Sequence, residues 1–531
     1  MRPKSEGVFY VTTPIYYVND VPHIGHAYTT VAADILARYK RLEGDQVFFL
    51  TGTDEHGQKV EKAAQERGVD PKAHCDEMVK RFQSLWQRLT ISNNDFIRTT
   101  EVRHKTVVQK ILQELYDRGE IYQDNYEGWY CVPCERFWTE KDLTEGNCPD
   151  CLRSVNQISE KNYFFRMGKY QSWLIEHIER NDRFILPSSR RNEILGFLRS
   201  PLEDLCISRP KKRLKWGIEI PFDTDYVTYV WFDALINYVS GIGYGSDGNP
   251  FSQFWPQAIH LIGKDILTTH TVYWPTMLRA IGLTPPKLVF AHGWWTVEGK
   301  KMSKSLQNVV EPNRLIDIYG VDAVRYFLVR EVPFGIDGDF SHSAMVHRIN
   351  SDLANDLGNL FSRTLSMVIK YFEGLIPTPS PPQEAAFQEA DRRLQETSEK
   401  VFTQLSKQMD DLAFNKALAL IWEIVSASNK YVDETAPWSL AKDQKDRPRL
   451  ATVLYNGLES LRGIAFLLAA FMPSTSEKMW LQLGIEENLW EQNLGEIGKW
   501  GGLKPGKKVA KPTPLFPRID SSKISIDLGG K

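Results

Sequence analysis

The run Val8-Phe9-Tyr10-Val11-Thr12-Thr13-Pro14-Ile15-Tyr16-Tyr17 passes through Pro22-His23-Ile24-Gly25-His26 into a segment whose apolar residues Ile24, Tyr28, Val31, Ile35, Tyr39 and Leu42 recur three or four apart. That change of period predicts a strand followed by a helix. With the apolar stretch that ends at Thr51-Gly52-Thr53-Asp54-Glu55-His56-Gly57, residues 8–57 read as strand, helix, strand, the parallel unit of a nucleotide-binding fold. His23 and His26 fall at the start of the helix, where unpaired backbone N–H groups and the helix dipole favour an anion. Gly25 between them removes a side chain and lets a phosphate or a flat ring come close to the backbone.

Working outward, a second segment suited to phosphates is Lys301-Met302-Ser303-Lys304-Ser305, shortly after Gly299. Its two ammonium groups on a loop suit the charge that develops when pyrophosphate leaves. Taken singly, a histidine pair can be a plain helix cap and a KxxK loop a solvated turn. The sheet is expected to resume with Tyr226-Val227-Thr228-Tyr229-Val230-Trp231, then Ile259-His260-Leu261-Ile262 and Leu288-Val289-Phe290-Ala291, each stopping at a polar residue such as Asp233, Asp265 or His292. Ligands of doubly wound sheets sit outside the carboxyl ends of the strands, so these are the expected site positions. Residues 61–118 read as helical, and from Ser343 on the pattern is helical again, with the proline-rich break Ile376–Pro382 as an interhelix loop.

Four of the six cysteines are organised as Cys131-Val132-Pro133-Cys134 and Cys148-Pro149-Asp150-Cys151, thirteen residues apart. Two such knuckles can complete a tetrahedral S₄ site, and with four sulfur ligands the metal would hold a subdomain rather than do chemistry. Structural zinc is therefore expected, rather than disulfides or a redox pair. The chain has 65 basic and 67 acidic residues, so RNA binding would need a local patch. At 42% hydrophobic and 12% aromatic it is globular, and its 531 residues allow two to four domains. No stretch reaches the roughly 18 apolar residues of a membrane span, and Met1–Gly7 has no apolar secretion signal, so no membrane partner and a cytoplasmic address are expected.

The two phosphate segments resemble the HIGH and KMSKS signatures of class I aminoacyl-tRNA synthetases, the second letter for letter. The stretches Thr12–Asn19, Thr51–Gly57, Tyr229–Ala234 and His260–Asp265 are similar to those of the methionyl-tRNA synthetase family, and the resemblance runs from about Val8 to about Leu483. It implies an α/β Rossmann-like, doubly wound parallel sheet with an inserted zinc-knuckle domain, followed by an all-α helix bundle that binds the anticodon. The corresponding divisions are residues 1–120 and 217–342 for the two halves of the catalytic domain, 121–216 for the insert, 343–500 for the bundle and 501–531 for an extended tail.

The implied activity is attack of methionine on Mg-ATP to give methionyl-adenylate and pyrophosphate, then transfer to the 3′ end of tRNA(Met), with the 2′-hydroxyl of a class I enzyme attacking first. In that scheme His23, His26, Lys301 and Lys304 are catalytic, and Gly25, Gly263, Asp265 and His292 join them around ATP. Asp54 takes the methionine ammonium, Ile15 and Tyr17 the thioether end, and Trp231, Ala234, Tyr238, Ile266, His270 and Trp274 the walls. An aromatic slot suits a polarizable thioether. Cys131, Cys134, Cys148 and Cys151 hold one Zn²⁺, Mg²⁺ arrives with ATP, and Asn359, Arg363 and Trp438 read the anticodon. No appended dimerisation segment stands out, so a monomer is expected. Leu235, where some family members carry proline, changes only the local wall.

Two other functions compete. A class I synthetase for leucine, isoleucine or valine needs a large editing insertion, since one methylene discriminates by only about 1–3 kcal/mol, and the interruption here is short and occupied by the knuckles. The segments Ile207-Ser208-Arg209 and Trp216-Gly217-Ile218 recur across the leucine, isoleucine, valine and cysteine enzymes, so the cysteine enzyme also competes. A non-catalytic tRNA-binding descendant would be expected to lose its ATP motifs, and both are intact.

Overall fold

The computed structural model describes residues 7–131, 136–138, 140–149, 152–246, 248, 250–297, 299–301, 308–381 and 388–520. Val8–Tyr17 (β1) and Gln46–Asp54 (β2) pair in parallel, joined by the helix Ile24–Glu43 (α1), as the sequence predicts. Around them stands a six-stranded parallel sheet in the order Asp95–Arg98 (β3), β2, β1, Ala258–Gly263, Leu288–His292, Ile185–Leu186. The chain runs outward from β1 to β3 on one side and fills the other side later, so the strand order reverses between β1 and Ala258–Gly263. The crevice of a doubly wound sheet opens at such a switch point. Both faces are covered: Phe9 and Val11 pack into one apolar cluster with α1, whereas Tyr10 and Leu50 pack into another. Burial on two faces is why these strands read as nearly unbroken apolar runs.

Three sequence expectations need correction. The segment read as helical over 61–118 is Gln58–Glu66 (α2), Pro71–Arg88 (α3) and Val102–Asp117 (α4), interrupted by β3, a strand too short and polar for a period-two signal. Tyr226–Trp231 does not continue the main sheet. Asp223–Thr228 lies in a separate three-stranded antiparallel sheet with Glu219–Ile220 and Ser208–Pro210, and Val230–Leu235 is helical. A short apolar run cannot by periodicity be told from a buried helical turn. Finally, Ile185–Leu186, from within the segment 121–216, supplies an edge strand of the main sheet. The rest of that segment is dominated by the long hairpin Ile121–Cys131 with Asn156–Phe165.

The C-terminal half is helical, with Glu389–Asp410, Phe414–Thr435, Arg447–Leu468 and Pro473–Gln482 around a common core. It is reached through one continuous helical stretch, His342–Phe372, whose middle turns, Ile349–Gly358, are wound as π-helix. The tail folds back over the bundle: the buried Glu459 carboxylate accepts from the backbone N–H groups of Gly501, Gly502 and Leu503 at 2.9, 3.0 and 2.9 Å. The two halves meet at Arg325, which is fully buried. Its guanidinium donates to Asp34 on α1 at 2.7 Å, to the Leu89 carbonyl at 2.9 Å, and to the carbonyls of Ala470 and Phe471 at 3.1 and 2.9 Å. Among the described residues no helix is long and apolar enough to cross a membrane.

Candidate active site

His23 is the N-cap of α1 and His26 its third residue, and the two close a reciprocal capping box: His23 Nδ1 accepts from the Gly25 N–H and His26 Nδ1 from the His23 N–H, each at 3.1 Å. The rings stack with centroids 3.8 Å apart. Because both Nδ1 atoms are acceptors, each neutral ring carries its proton on Nε2, so the pair presents N–H donors beyond the helix start. Burial pushes the His23 imidazole below its usual value against the pull of Asp20 and Asp265, and burial together with its neighbour His23 pushes His26 well below. Gly25 is required for this packing, since a Cβ there would lie 2.9 Å from His23 Cε1.

Beside the helix start, at the carboxyl ends of the strands, lies a cleft of about 680 Å³ lined by Ile15, Tyr17, Asp54, Trp231, Ala234, Tyr238, Asp265, Ile266 and His270. Burial and a fixed hydrogen-bond chain set its chemistry. His270 Nδ1 donates to the Ile266 carbonyl at 2.9 Å and its Nε2 accepts from the Tyr238 hydroxyl at 2.7 Å. Desolvation holds this imidazole at about 4, so it is neutral at physiological pH. Asp54 is 4% exposed. It ends β2, just before a loop anchored by Glu55, which receives Arg98 Nε at 2.6 Å, and by His56, whose Nδ1 lies 2.6 Å from the buried Asp233. Asp233 also meets His104 Nε2 at 2.7 Å, which ties α4 to the turn carrying Trp231 and Ala234.

Trp274 does not line the cleft. It is fully buried behind the wall, its indole N–H donating to His260 Nε2 at 3.2 Å, while His260 stacks on Tyr238 at 4.1 Å. Gly263 and Asp265 end and follow the strand Ala258–Gly263, and His292 ends the neighbouring strand, where Thr29 of α1 meets its Nε2 at 2.6 Å. Lys301 lies in a short hairpin, Lys300–Lys301 with Trp295–Val297, and the rest of that motif, including Lys304, lies outside the described residues, as do Cys134 and Cys151. Cys131 and Cys148 are both fully buried, and Cys148 heads a tight turn in which its carbonyl accepts from the Leu152 N–H at 2.8 Å.

In the helical half, Asn359 and Arg363 line an open polar groove with Asp356, Asn429 and Asp433. Arg363 reaches Asp433 at 3.0 Å and Asn429 at 3.3 Å. Trp438 is 43% exposed, at the start of the short helix Pro437–Leu440. Sequence reasoning missed Lys59, Glu193, Lys264 and Trp294 among the cleft's lining residues. Trp294 follows Ala291-His292-Gly293 directly, and that position after a strand end was the available signal.

The family of class I tRNA synthetases for methionine matches residues 9–158 and 153–365, and the anticodon-binding domain of methionyl-tRNA ligase matches residues 381–525. The chain belongs to the methionyl-tRNA synthetase family. A methionine–tRNA ligase of Caldanaerobacter subterraneus is 52% identical over 98% of this chain and 81% of its own length, and one of Clostridium tetani is 52% identical over 97% and 79%. The Mycobacterium tuberculosis methionyl-tRNA synthetase solved with methionyl-adenylate superposes with a TM-score of 0.92 at 42% identity, covering 96% of this chain and all of that one. The two-part architecture is thus that of the family, a parallel-sheet half followed by a helical anticodon-binding half.

Proposed function

We infer that the chain is an ATP-dependent methionine–tRNA ligase. The observation that carries this is the convergence, at the switch point of the sheet, of two imidazole Nε2 donors with a half-enclosed aromatic cleft that has a carboxylate, Asp54, at one side. Methionine binds with its ammonium on Asp54 and its thioether among Ile15, Tyr17, Trp231, Ala234, Tyr238, Ile266 and His270, with Trp274 supporting that wall from behind. A neutral His270 bonded to Tyr238 favours an uncharged side chain.

ATP enters as its magnesium complex along Gly25, Gly263, Asp265 and His292. The methionine carboxylate oxygen attacks the α-phosphorus, the bond to the bridging oxygen breaks, and pyrophosphate departs. His23 and His26 donate to phosphate oxygens, and Lys301 and Lys304 meet the leaving charge. No side-chain nucleophile is needed, because such transfers are accelerated chiefly by positioning and charge stabilisation. The terminal ribose hydroxyl of tRNA(Met) then attacks the activated carbonyl, and AMP leaves. The polar groove of Asn359 and Arg363 with the exposed Trp438 suits unstacked anticodon bases.

The buried Cys131, which ends the strand Ile121–Cys131, and the buried Cys148 fit two ligands of a zinc site that Cys134 and Cys151 would complete. Four thiolates would hold the insert and leave no open position. Pyrophosphate exchange tested over all amino acids checks the activity, with methionine the expected substrate. Exchange driven by another amino acid, or none, overturns it.

A further inference from the structure

Asp265 follows the strand Ala258–Gly263 at the cleft, and its carboxylate is engaged on one side. Trp294 Nε1 donates to Asp265 Oδ1 at 3.0 Å. Trp294 is itself held at its ring and at its backbone. Lys264 Nζ sits 4.2 Å from its ring centroid, and that ammonium is fixed by both oxygens of Asp337 at 2.7 and 2.6 Å. The backbone N–H of Trp294 donates to the same Asp337 Oδ1 at 2.8 Å. The close approach depends on Gly293, where a Cβ would lie 2.3 Å from the Ile336 backbone. Trp294 and Asp265 both line the cleft, and Asp265 is near enough to His23, His270 and His292 to raise each against burial.

We propose that Trp294 is a positioning residue that fixes the Asp265 carboxylate, turning its second oxygen toward the ribose hydroxyls of ATP and thereby setting the preference for a ribonucleotide. A carboxylate on a single Cβ can rotate about two bonds. Anchoring one oxygen to a rigid indole leaves the other aimed, and a pre-aimed charged acceptor binds a hydroxyl more strongly than one that must be ordered on binding. Trp294 immediately precedes the strand Trp295–Val297 that pairs with Lys300–Lys301, so the same anchor ties the ribose contact to the base of the lysine hairpin. The inference rests on the reading of Asp265 as a ribose contact and goes beyond it.

Trp294→Phe keeps a ring for Lys264 and removes only the N–H. In methionine-dependent pyrophosphate exchange it should raise KM for ATP, leave KM for methionine unchanged, and reduce the preference for ATP over 2′-deoxy-ATP or 3′-deoxy-ATP, whichever is the more discriminated, by at least about fivefold, the scale of a hydrogen bond to a charged group. Asp265→Asn is the control. If it abolishes the preference while Trp294→Phe retains it in full, the positioning role is wrong and the ribose reading stands. If Asp265→Asn itself retains the preference, the ribose reading falls and takes the inference with it. Should Trp294→Phe show a lowered melting temperature and a higher KM for both ATP and its deoxy analogues in equal proportion, Trp294 merely packs the cleft.

Discussion

The cleft at the end of the sheet and the groove of the helical half are built on opposite principles. In and around the cleft, His23, His26, His260, His270 and His292 are largely desolvated and neutral, each with a ring nitrogen committed to a fixed partner. In the groove, Arg363 pairs with an exposed Asp433 and the lining is open to solvent, and elsewhere in the same half Trp438 is itself exposed. Preset tautomers and low local dielectric make charge stabilisation strong without reorganisation at the moment of reaction. Exposed ion pairs contribute little to stability, commonly about 0–1 kcal/mol, and exchange partners readily, which would suit the proposed anticodon surface.

The comparison is broken most directly by removing a preset donor. His26→Ala should slow methionine-dependent pyrophosphate exchange by about 10²–10³ in kcat, the cost of losing one such donor, with methionine affinity nearly unchanged. The lost cap adds about 1 kcal/mol of destabilisation. Equal losses in kcat and in methionine binding, measured by equilibrium titration, would show that the imidazole serves the pocket and not the phosphates.

Trp438→Ala should do the reverse. Exchange stays near wild type, while tRNA-dependent kcat/KM falls by about ten- to a hundredfold, since stacking is worth roughly 1–3 kcal/mol per base. Parallel loss of both activities with a lower melting temperature would make Trp438 a packing residue, although its exposure argues against that.

Cys148→Ser tests whether the insert is an independent body. Purified protein should contain about one zinc per chain, the variant should lose it, and the hairpin Ile121–Cys131 with Asn156–Phe165 should become protease-sensitive, because metal-site free energy is folding free energy. Full occupancy in the variant would remove Cys148 from the ligand set.

The smallest expected effect is on acid stability. Each cleft histidine has a folded pKa below its unfolded value, so the unfolded chain binds more protons below pH about 6.5, and stability falls with decreasing pH until the folded pKa is reached. For His270 that window runs from about 6.5 down to about 4. His270→Gln should flatten the slope of melting temperature between pH 6.5 and 5, whereas Arg363→Gln in the groove should leave it unaltered. A wild-type protein with no slope in that window would show the cleft histidines to be solvated.

What could be read in advance follows the same division. The β1–α1–β2 unit was legible because a change of period, a helix start and a strand end coincide within fifty residues or so. The helical half was legible from repeats such as Leu353, Leu357, Leu360 and Phe361. Strand membership of Tyr226–Trp231 was not, because an apolar run of six fits a buried strand and a buried turn equally. The walls of the proposed methionine pocket came mainly from resemblance, and Trp274, placed there by that route, lies buried behind the cleft: an aromatic near a strand end can serve the layer that holds the first. Trp294 and the bridge of Asp233 between His56 and His104 depend on contacts across 29, 177 and 129 residues, for which local pattern carries no signal.

The buried Arg325 has a mechanical corollary. Rotating the bundle away from the sheet would strip the Ala470 and Phe471 carbonyls from its guanidinium while Asp34 still holds it, and each hydrogen bond to a charged group lost in this way costs about 1.5–3 kcal/mol. Thermal motion seldom supplies that, so the span from groove to cleft behaves as a caliper of set width.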